Sequence, residues 1–221
     1  MSTTKSKLSL SEVDYYERPE CSNSDLSWLK AQSDTSDGHN DPYEAYRLGT
    51  LLDVMITEPE RYDPVSQTIG EYQYSPKDLI LVRKMTKSFF SDKFCFNLYQ
   101  HSVPQSIYVK DVELEFEGIK FILPMRCKYD LDAKKMLMGG DIKSTTATTQ
   151  EQFEAAIDFF SYPRQRAVYM NLSGYKMDCI IGISKVNFKV FKKFIHWGDP
   201  LFERGMSEFK HLAFKYYTLF G

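Results

Sequence analysis

The 221-residue chain holds 2 tryptophans and 4 cysteines, and it has no run of the roughly 18 uncharged apolar residues that a membrane-spanning helix needs. Cys21, Cys95, Cys127 and Cys179 stand far apart with no Cys-x-x-Cys pair. That spacing excludes a zinc ribbon and reads as reduced cytoplasmic thiols rather than a disulfide framework. No Gly-Lys-Ser/Thr loop is present to cradle a nucleotide triphosphate, so the chain carries no motor segment. His39, His101, His196 and His211 lack the His-x-His or His-x-x-x-His spacing of a histidine metal site. Met1–Leu10 is rich in Ser, Thr and Lys and has no apolar signal core, so neither a leader nor a membrane partner is expected.

Charge of one sign is also scarce overall, with a net −2, which by itself argues against a strongly basic polyanion binder. The average hides a gradient, because residues 1–63 carry −7 and residues 161–221 carry +6. Such polarity fits either a polyanion-facing end or a solvated surface. The basic residues Arg164, Arg166, Lys185, Lys189, Lys192 and Lys193 are the candidate contacts at the positive end. Phe188, Phe191 and Phe194 lie among them as rings for stacking or for core packing. At 43% hydrophobic and 15% aromatic, the composition supplies one real core. The expected organisation is a flexible segment over 1–20 followed by a single domain over 21–221.

Ser22-Asn23-Ser24-Asp25 offers N-caps for a short helix, and a polar loop spans Gln32–Asn40. Asp41-Pro42 opens a helix that ends near Thr57-Glu58-Pro59, and Ser75-Pro76 opens another through Phe90. From Gln105 the period becomes two. Ile107–Val109 and Val112–Phe116 form a strand, Glu117-Gly118 a hairpin turn, and Lys120–Leu131 the return. Met136–Ile142 is a third strand. Thr149 starts a helix that Pro163 divides in two, Met177–Ile183 and Lys185–Phe194 make a further strand pair, and residues 199–219 close the chain as a helix. The order predicts one mixed α/β domain without repeats.

The chemistry concentrates at Lys128-Tyr129-Asp130 and, after ten intervening residues, Asp141-Ile142-Lys143. Residues two apart on a strand share a face, so Asp141 and Lys143 project together and Asp130 on the adjacent strand can meet them. Converging carboxylates are costly unless a cation separates them. Mg²⁺ suits the task, needing few protein ligands and leaving positions for water and phosphate oxygens, and Mn²⁺ is an alternative. A bridging divalent cation acidifies water and neutralises charge growing on phosphorus. A strand-edge salt bridge is the other reading of the same three residues. Gly139-Gly140 before the triplet allows close backbone approach, and Ser144-Thr145-Thr146 after it supply hydroxyl donors.

Asp130, Asp141-Ile142-Lys143-Ser144-Thr145 and Tyr162-x-x-Gln165-x-x-x-Tyr169 together resemble the PD-(D/E)XK nuclease superfamily. They are most similar to the branch of phage recombination exonucleases and the RecE (exonuclease VIII) type. Ser22-Asn23-Ser24-Asp25-Leu26 resembles that branch's opening helix. Gly49-Thr50-Leu51-Leu52-Asp53 and Glu58-Pro59-Glu60 resemble its Gly-Thr-x-x-His helix and Glu-Pro-Glu tail. The resemblance spans about residues 20–172 and implies a restriction-endonuclease-like α/β core, a central mixed sheet flanked by helices. It implies a Mg²⁺-dependent exonuclease acting on linear double-stranded DNA ends in phage-type recombination, within a bacterial or phage-infected cytoplasm. By the same resemblance, Asp130, Asp141 and the Ile142 carbonyl hold the metal and Lys143 serves the nucleophilic water. Gln165 and Tyr169 support the site, and Lys128, Ser144, Thr145, Arg164, Arg166 and Ser24 face DNA. A homo-oligomeric ring and a single-strand annealing protein are the implied assembly and partner. Two positions depart from the pattern. Asp53 replaces the helix histidine as a candidate ligand, and Gln105 stands where relatives place a glutamate. These departures leave open an endonuclease on the same core or a catalytically impaired DNA-binding module. With one cysteine downstream of the helix pair, an iron–sulfur cluster is not expected.

Overall fold

The computed structural model describes residues 15–32 and 43–221. Short polar caps start its helices. Ser22 closes a capping box with Asp25 at the head of α1 (Asn23–Ala31). Helix α2 runs Tyr43–Thr57; its expected cap, Asp41-Pro42, and most of the Gln32–Asn40 loop lie outside the described residues. A small ribbon, β1 (Thr68–Ile69) with β2 (Tyr72–Gln73), leads to α3 (Pro76–Ser91), where Ser75 and Asp78 form a second capping box. Asp92 then caps α4 (Lys93–Gln100), accepting from the N–H groups of Phe94 and Cys95 at 3.1 Å each. This helix is not expected from the sequence, although Cys95 and Leu98, three residues apart, bury one face of it.

β3 (Val103–Phe116) and β4 (Ile119–Ala133) form a long antiparallel hairpin. At its tip Glu117 and Gly118 both take positive φ, 50° and 80°, the tight turn whose twist matches the strands it joins. β5 (Met138–Thr145) returns antiparallel to β4, and α5 (Gln150–Phe159) and α6 (Tyr162–Ser173) carry the chain to β6 (Met177–Ser184), parallel to β5. β7 (Val190–His196) pairs antiparallel with β6, and α7 (Pro200–Phe220) closes the domain. The result is a mixed five-stranded sheet in the order β3-β4-β5-β6-β7, flanked by helices. Lys185–Lys189, expected in the last strand, lie outside it, and residues 185–187 form a turn in which Ser184 Oγ accepts from the N–H groups of Val186 and Asn187.

Helices α2, α3 and α4 pack on one layer through Leu51, Leu52, Val82 and Phe89 against Leu131, Met138, Ile142 and Ile181. α1, α6 and α7 cover the hairpin through Leu26, Val168 and Phe209 against Leu123, Cys127 and Tyr129. α5, α6 and α7 also bury Ile180, Phe191 and Ile195. All four cysteines are buried free thiols. Of the segment 1–20, residues 15–20 are described, and they contact the domain. Tyr15 is buried beneath Arg126, whose guanidinium donates to the Arg18 carbonyl at 2.6 Å, and Cys21 bridges to Met125.

One level of the sheet is irregular. Pairs Pro104↔Leu131 and Ser106↔Tyr129 bracket Gln105 and Asp130, and the β4–β5 ladder stops at Leu131↔Gly140. Gln105 is held at φ 53°, a conformation that side chains with a Cβ adopt at a cost. Across this level β4 changes layers, since Leu131 packs with α2–α4 and Tyr129 with the hairpin core. Gly139 is required on the adjoining strand, because a Cβ there would lie 2.0 Å from the Tyr129 ring. The sheet therefore opens beside Asp130, whose carboxylate reaches the Ile142 N–H of β5.

Candidate active site

At the opening, Asp130 substitutes for a missing ladder bond: its Oδ2 accepts the Ile142 N–H at 2.7 Å. Asp130, Ile142 and Lys143 line a cavity of about 840 Å³ together with Asp53 from α2 and Ser144 and Thr145 from the end of β5. Asp53 is tied to the irregular level, since Gln105 Nε2 donates to its two carboxylate oxygens at 3.1 and 3.3 Å and to Thr57 Oγ1 at 3.1 Å. The two departures from the expected motif thus form one hydrogen-bonded unit.

Burial raises the Asp53 carboxyl to about 6, and the Lys128 and Lys143 ammoniums only partly oppose it. Burial, with Asp53 and Asp141 as like charges, pushes Asp130 well above the usual carboxylate range. Lys143 is held above its ordinary value. Its burial opposes the charge, but Asp141 and Asp130 outweigh that effect.

Asp141 sits behind the cavity wall, 2% exposed, between two cations. Lys143 Nζ lies 2.8 Å from Oδ2 and Arg166 Nη2 lies 2.9 Å from Oδ1. Arg166 also reaches Asp178 on β6 at 3.5 Å and lies over the Tyr169 ring at 4.1 Å. Burial opposes the guanidinium's charge, yet Asp141 and Asp178 keep it protonated more firmly than usual. Asp178 is fully buried, and that burial raises its carboxyl to about 6 despite Arg166.

Several expected contacts take other places. Arg164 and Arg166 are 1% and 0% exposed, which corrects their expected placement on a DNA-facing surface. Arg164 is spent inside the fold on Glu208 Oε1 and Asn23 Oδ1, each at 2.9 Å. Tyr169 is buried against Arg166 and, edge to face, Tyr129, and it lies outside the cavity lining. Gln165 is half-buried on α6, outside the cavity lining. Lys128 is half-buried, with its ammonium over Tyr15 and Tyr16 at 5.5 and 5.6 Å. Ser24 is exposed on α1, which contributes nothing to the cavity lining. Lys192 and Lys193 pair with Asp92 and Glu154, and Phe191 is core. Lys185 does line the cavity.

Sequence reasoning missed Asp178 and the role of Arg166. The signal was Asp178 itself, a carboxylate inside the apolar strand Met177–Ser184, where a buried charge demands a partner.

Among the described residues no three His, Cys, Asp or Glu side chains gather into a ready-made metal cage. The donor set nevertheless suits a hard divalent cation. It consists of carboxylates, and Asp141 Oδ2 is buried without a hydrogen bond despite the nearby Lys143 ammonium. Asp130 and Asp141, with Asp53 across the cavity, are the residues that would hold it.

No protein-family model matches the chain, and no curated protein matches it in sequence. Among solved structures, SSO0001 is similar at 12% identity and a TM-score of 0.44, over 92% of this chain and 77% of that one. A phage-related exonuclease from Haemophilus somnus 129PT is similar at 11% identity and a TM-score of 0.42, over 94% of this chain and 97% of that one. LHK-Exo, solved in complex with dAMP, is similar at 12% identity and a TM-score of 0.32, over 79% of this chain and 87% of that one. The chain has a mixed five-stranded sheet with paired helices after β5, and it brings Asp130, Ile142 and Lys143 together at the sheet's opening.

Proposed function

We propose that this protein is a Mg²⁺-dependent deoxyribonuclease that hydrolyses phosphodiester bonds from the ends of linear double-stranded DNA. The observation that carries the reading is Asp130 and Lys143 on the cavity wall at the splayed β4–β5 edge, with Asp141 paired to Lys143 just behind that wall. When bound there, the cation would lower the charge on the phosphate and make water a better nucleophile. Mn²⁺ would serve the same donors.

In the reaction a water oxygen bonds to phosphorus and one P–O ester bond breaks, leaving a phosphate monoester and a hydroxyl. Without the cation Lys143 is held as an ammonium by Asp141 and Asp130; beside the attacking water it would orient that water or take part in proton transfer. Arg166 fixes Asp141 from behind, and Tyr169 fixes Arg166. Ser144, Thr145 and Lys185 line the cavity, which supports a role for them in meeting the strand. End resection for recombination, in a homo-oligomeric ring beside a single-strand annealing protein in the cytoplasm, is the setting the sequence resemblance supports. Among the described residues no helix is long and apolar enough to cross a membrane.

A second reading has its own observation. Asp53 is engaged by Gln105, and Asp141 by two cations, so the chain would bind DNA without cutting it. Digestion of end-labelled linear DNA beside covalently closed circles decides the matter. Loss of label from linear DNA alone, dependent on Mg²⁺ and abolished by Lys143→Ala, is the expected result. Cutting of circles makes it an endonuclease. No cutting in Mg²⁺ or Mn²⁺ leaves the binding module.

A further inference from the structure

The α5–α6 junction holds aromatic rings outside the core. Phe159 is 81% exposed and Phe160 58% exposed. Phe160 stacks on Tyr162 with ring centroids 5.6 Å apart and planes 23° apart, and Phe159 meets Phe160 edge-on at 4.9 Å. Core packing does not account for them, since burial would remove such surface from water.

The backbone between the stacked rings is strained, and it is held. Ser161, the residue separating them, takes φ 53° and ψ 32°, a left-handed conformation costly for any side chain. Its Oγ accepts from Lys30 Nζ at 3.0 Å and donates to Glu208 Oε1 at 3.3 Å. Glu208 Oε1 also accepts from Lys30 and from the buried Arg164, each at 2.9 Å. Arg164, which the reaction does not use, therefore anchors the junction that sets the rings face to face.

The stack is continuous with the reacting centre. Lys143 Nζ lies 5.2 Å over the Tyr162 ring and 2.8 Å from Asp141. Phe160, Tyr162 and the 66%-exposed Tyr46 line the same cavity as Asp53 and Asp130, and Lys185 lines it too. A ligand that complements this wall is flat beside a group that is anionic. A nucleotide of an unpaired strand has that form, whereas a paired base keeps its faces within the duplex stack.

We propose that Phe160, backed by Tyr162 and edged by Phe159, is a stacking platform for an unpaired base next to the scissile phosphate. This rests on the nuclease reading for the identity of the strand, and it adds the form in which that strand enters.

The test uses the full chain in EDTA with oligonucleotides carrying 2-aminopurine near one end, whose fluorescence falls on stacking. Wild type is expected to quench the probe and to bind single strands more tightly than a duplex closed by hairpins at both ends. Phe160→Ala is expected to lose the quench and weaken single-strand binding by about fivefold to a hundredfold, the span for losing one stacked base. Phe160→Trp is expected to keep both, and Phe160→Leu, apolar without a π face, to resemble Ala. Phe160 is exposed, so circular dichroism is expected to show all three folded as wild type. Equal binding by wild type and Phe160→Ala, full binding by Phe160→Leu, or no wild-type quench overturns the platform. Mg²⁺-dependent digestion run in parallel separates the two readings. Cutting without any Phe160 effect rejects the platform alone, and a Phe160-dependent quench without cutting rejects the nuclease alone.

Discussion

Replacing Arg166 with methionine removes the cation shared by Asp141 and Asp178 while keeping an unbranched chain in its place. Arg166 and Asp178 are both 0% exposed and Asp141 is 2% exposed, so water does not compensate the loss. Breaking a buried pair by removing one partner costs about 3–5 kcal/mol, because a desolvated charge is left alone. Asp141 keeps Lys143 at 2.8 Å, so the penalty falls chiefly on Asp178, whose ion-pair contact is Arg166 at 3.5 Å. For a chain of this size about 3–5 kcal/mol lowers the melting midpoint by roughly 6–20 °C. The assay is urea denaturation of Arg166→Met, Asp178→Asn and the double variant, a cycle that isolates the pair's coupling. Asp178→Asn is expected to recover more than about 1 kcal/mol in the Arg166→Met background, since it removes the orphaned charge. A loss below about 1 kcal/mol for Arg166→Met, or strict additivity in the cycle, would refute this account of the network.

The same carboxyl gives a pH signature. With Asp178 raised to about 6 in the fold from an ordinary 3.8, the native state holds its proton more tightly than the unfolded chain does. Its contribution is therefore full below pH 3.8 and lost as pH rises through about 6, amounting to about 3 kcal/mol at most; Asp178→Asn should flatten that part of a stability–pH curve. Lys143→Ala is expected to reduce Mg²⁺-dependent DNA hydrolysis by about a hundredfold or more, with retained DNA binding measured separately; unchanged turnover would exclude Lys143 from the chemistry. Gly139→Ala should cost about 1–3 kcal/mol or more through the overpacked Tyr129 ring, read by thermal melting, and Tyr129→Leu should restore part of it.

Much of the fold was legible before any coordinates. Ser22 and Ser75 were readable as caps because a Ser followed three residues later by Asp satisfies two helix-end donors locally. Glu117-Gly118 was readable because a two-residue hairpin demands positive φ. Asp130, Asp141 and Lys143 stood out through period-two geometry and a resemblance of motifs. The α6 helix misled. Its charged residues looked solvated, yet Pro163, Arg164, Arg166, Ala167, Val168, Tyr169, Met170 and Leu172 are all buried. No apolar stripe marks such a helix, since it lies against the sheet and against α7 at once and buries nearly its whole circumference. The site's second layer was hidden for the same reason. Gln105 and Asp53 are 52 positions apart, and a hydrogen bond between them has no local signature.

What the sequence determined on its own was local: where helices begin, where the hairpin turns, and which two neighbouring strands carry Asp130 and the Asp141–Lys143 pair. Tertiary structure decided which charge serves which. Asp141 answers to Arg166 as well as Lys143, Asp53 to Gln105, and Arg164 to Glu208. Charge interactions depend on separation and on burial, and both arise only when segments distant in the chain close around the same space.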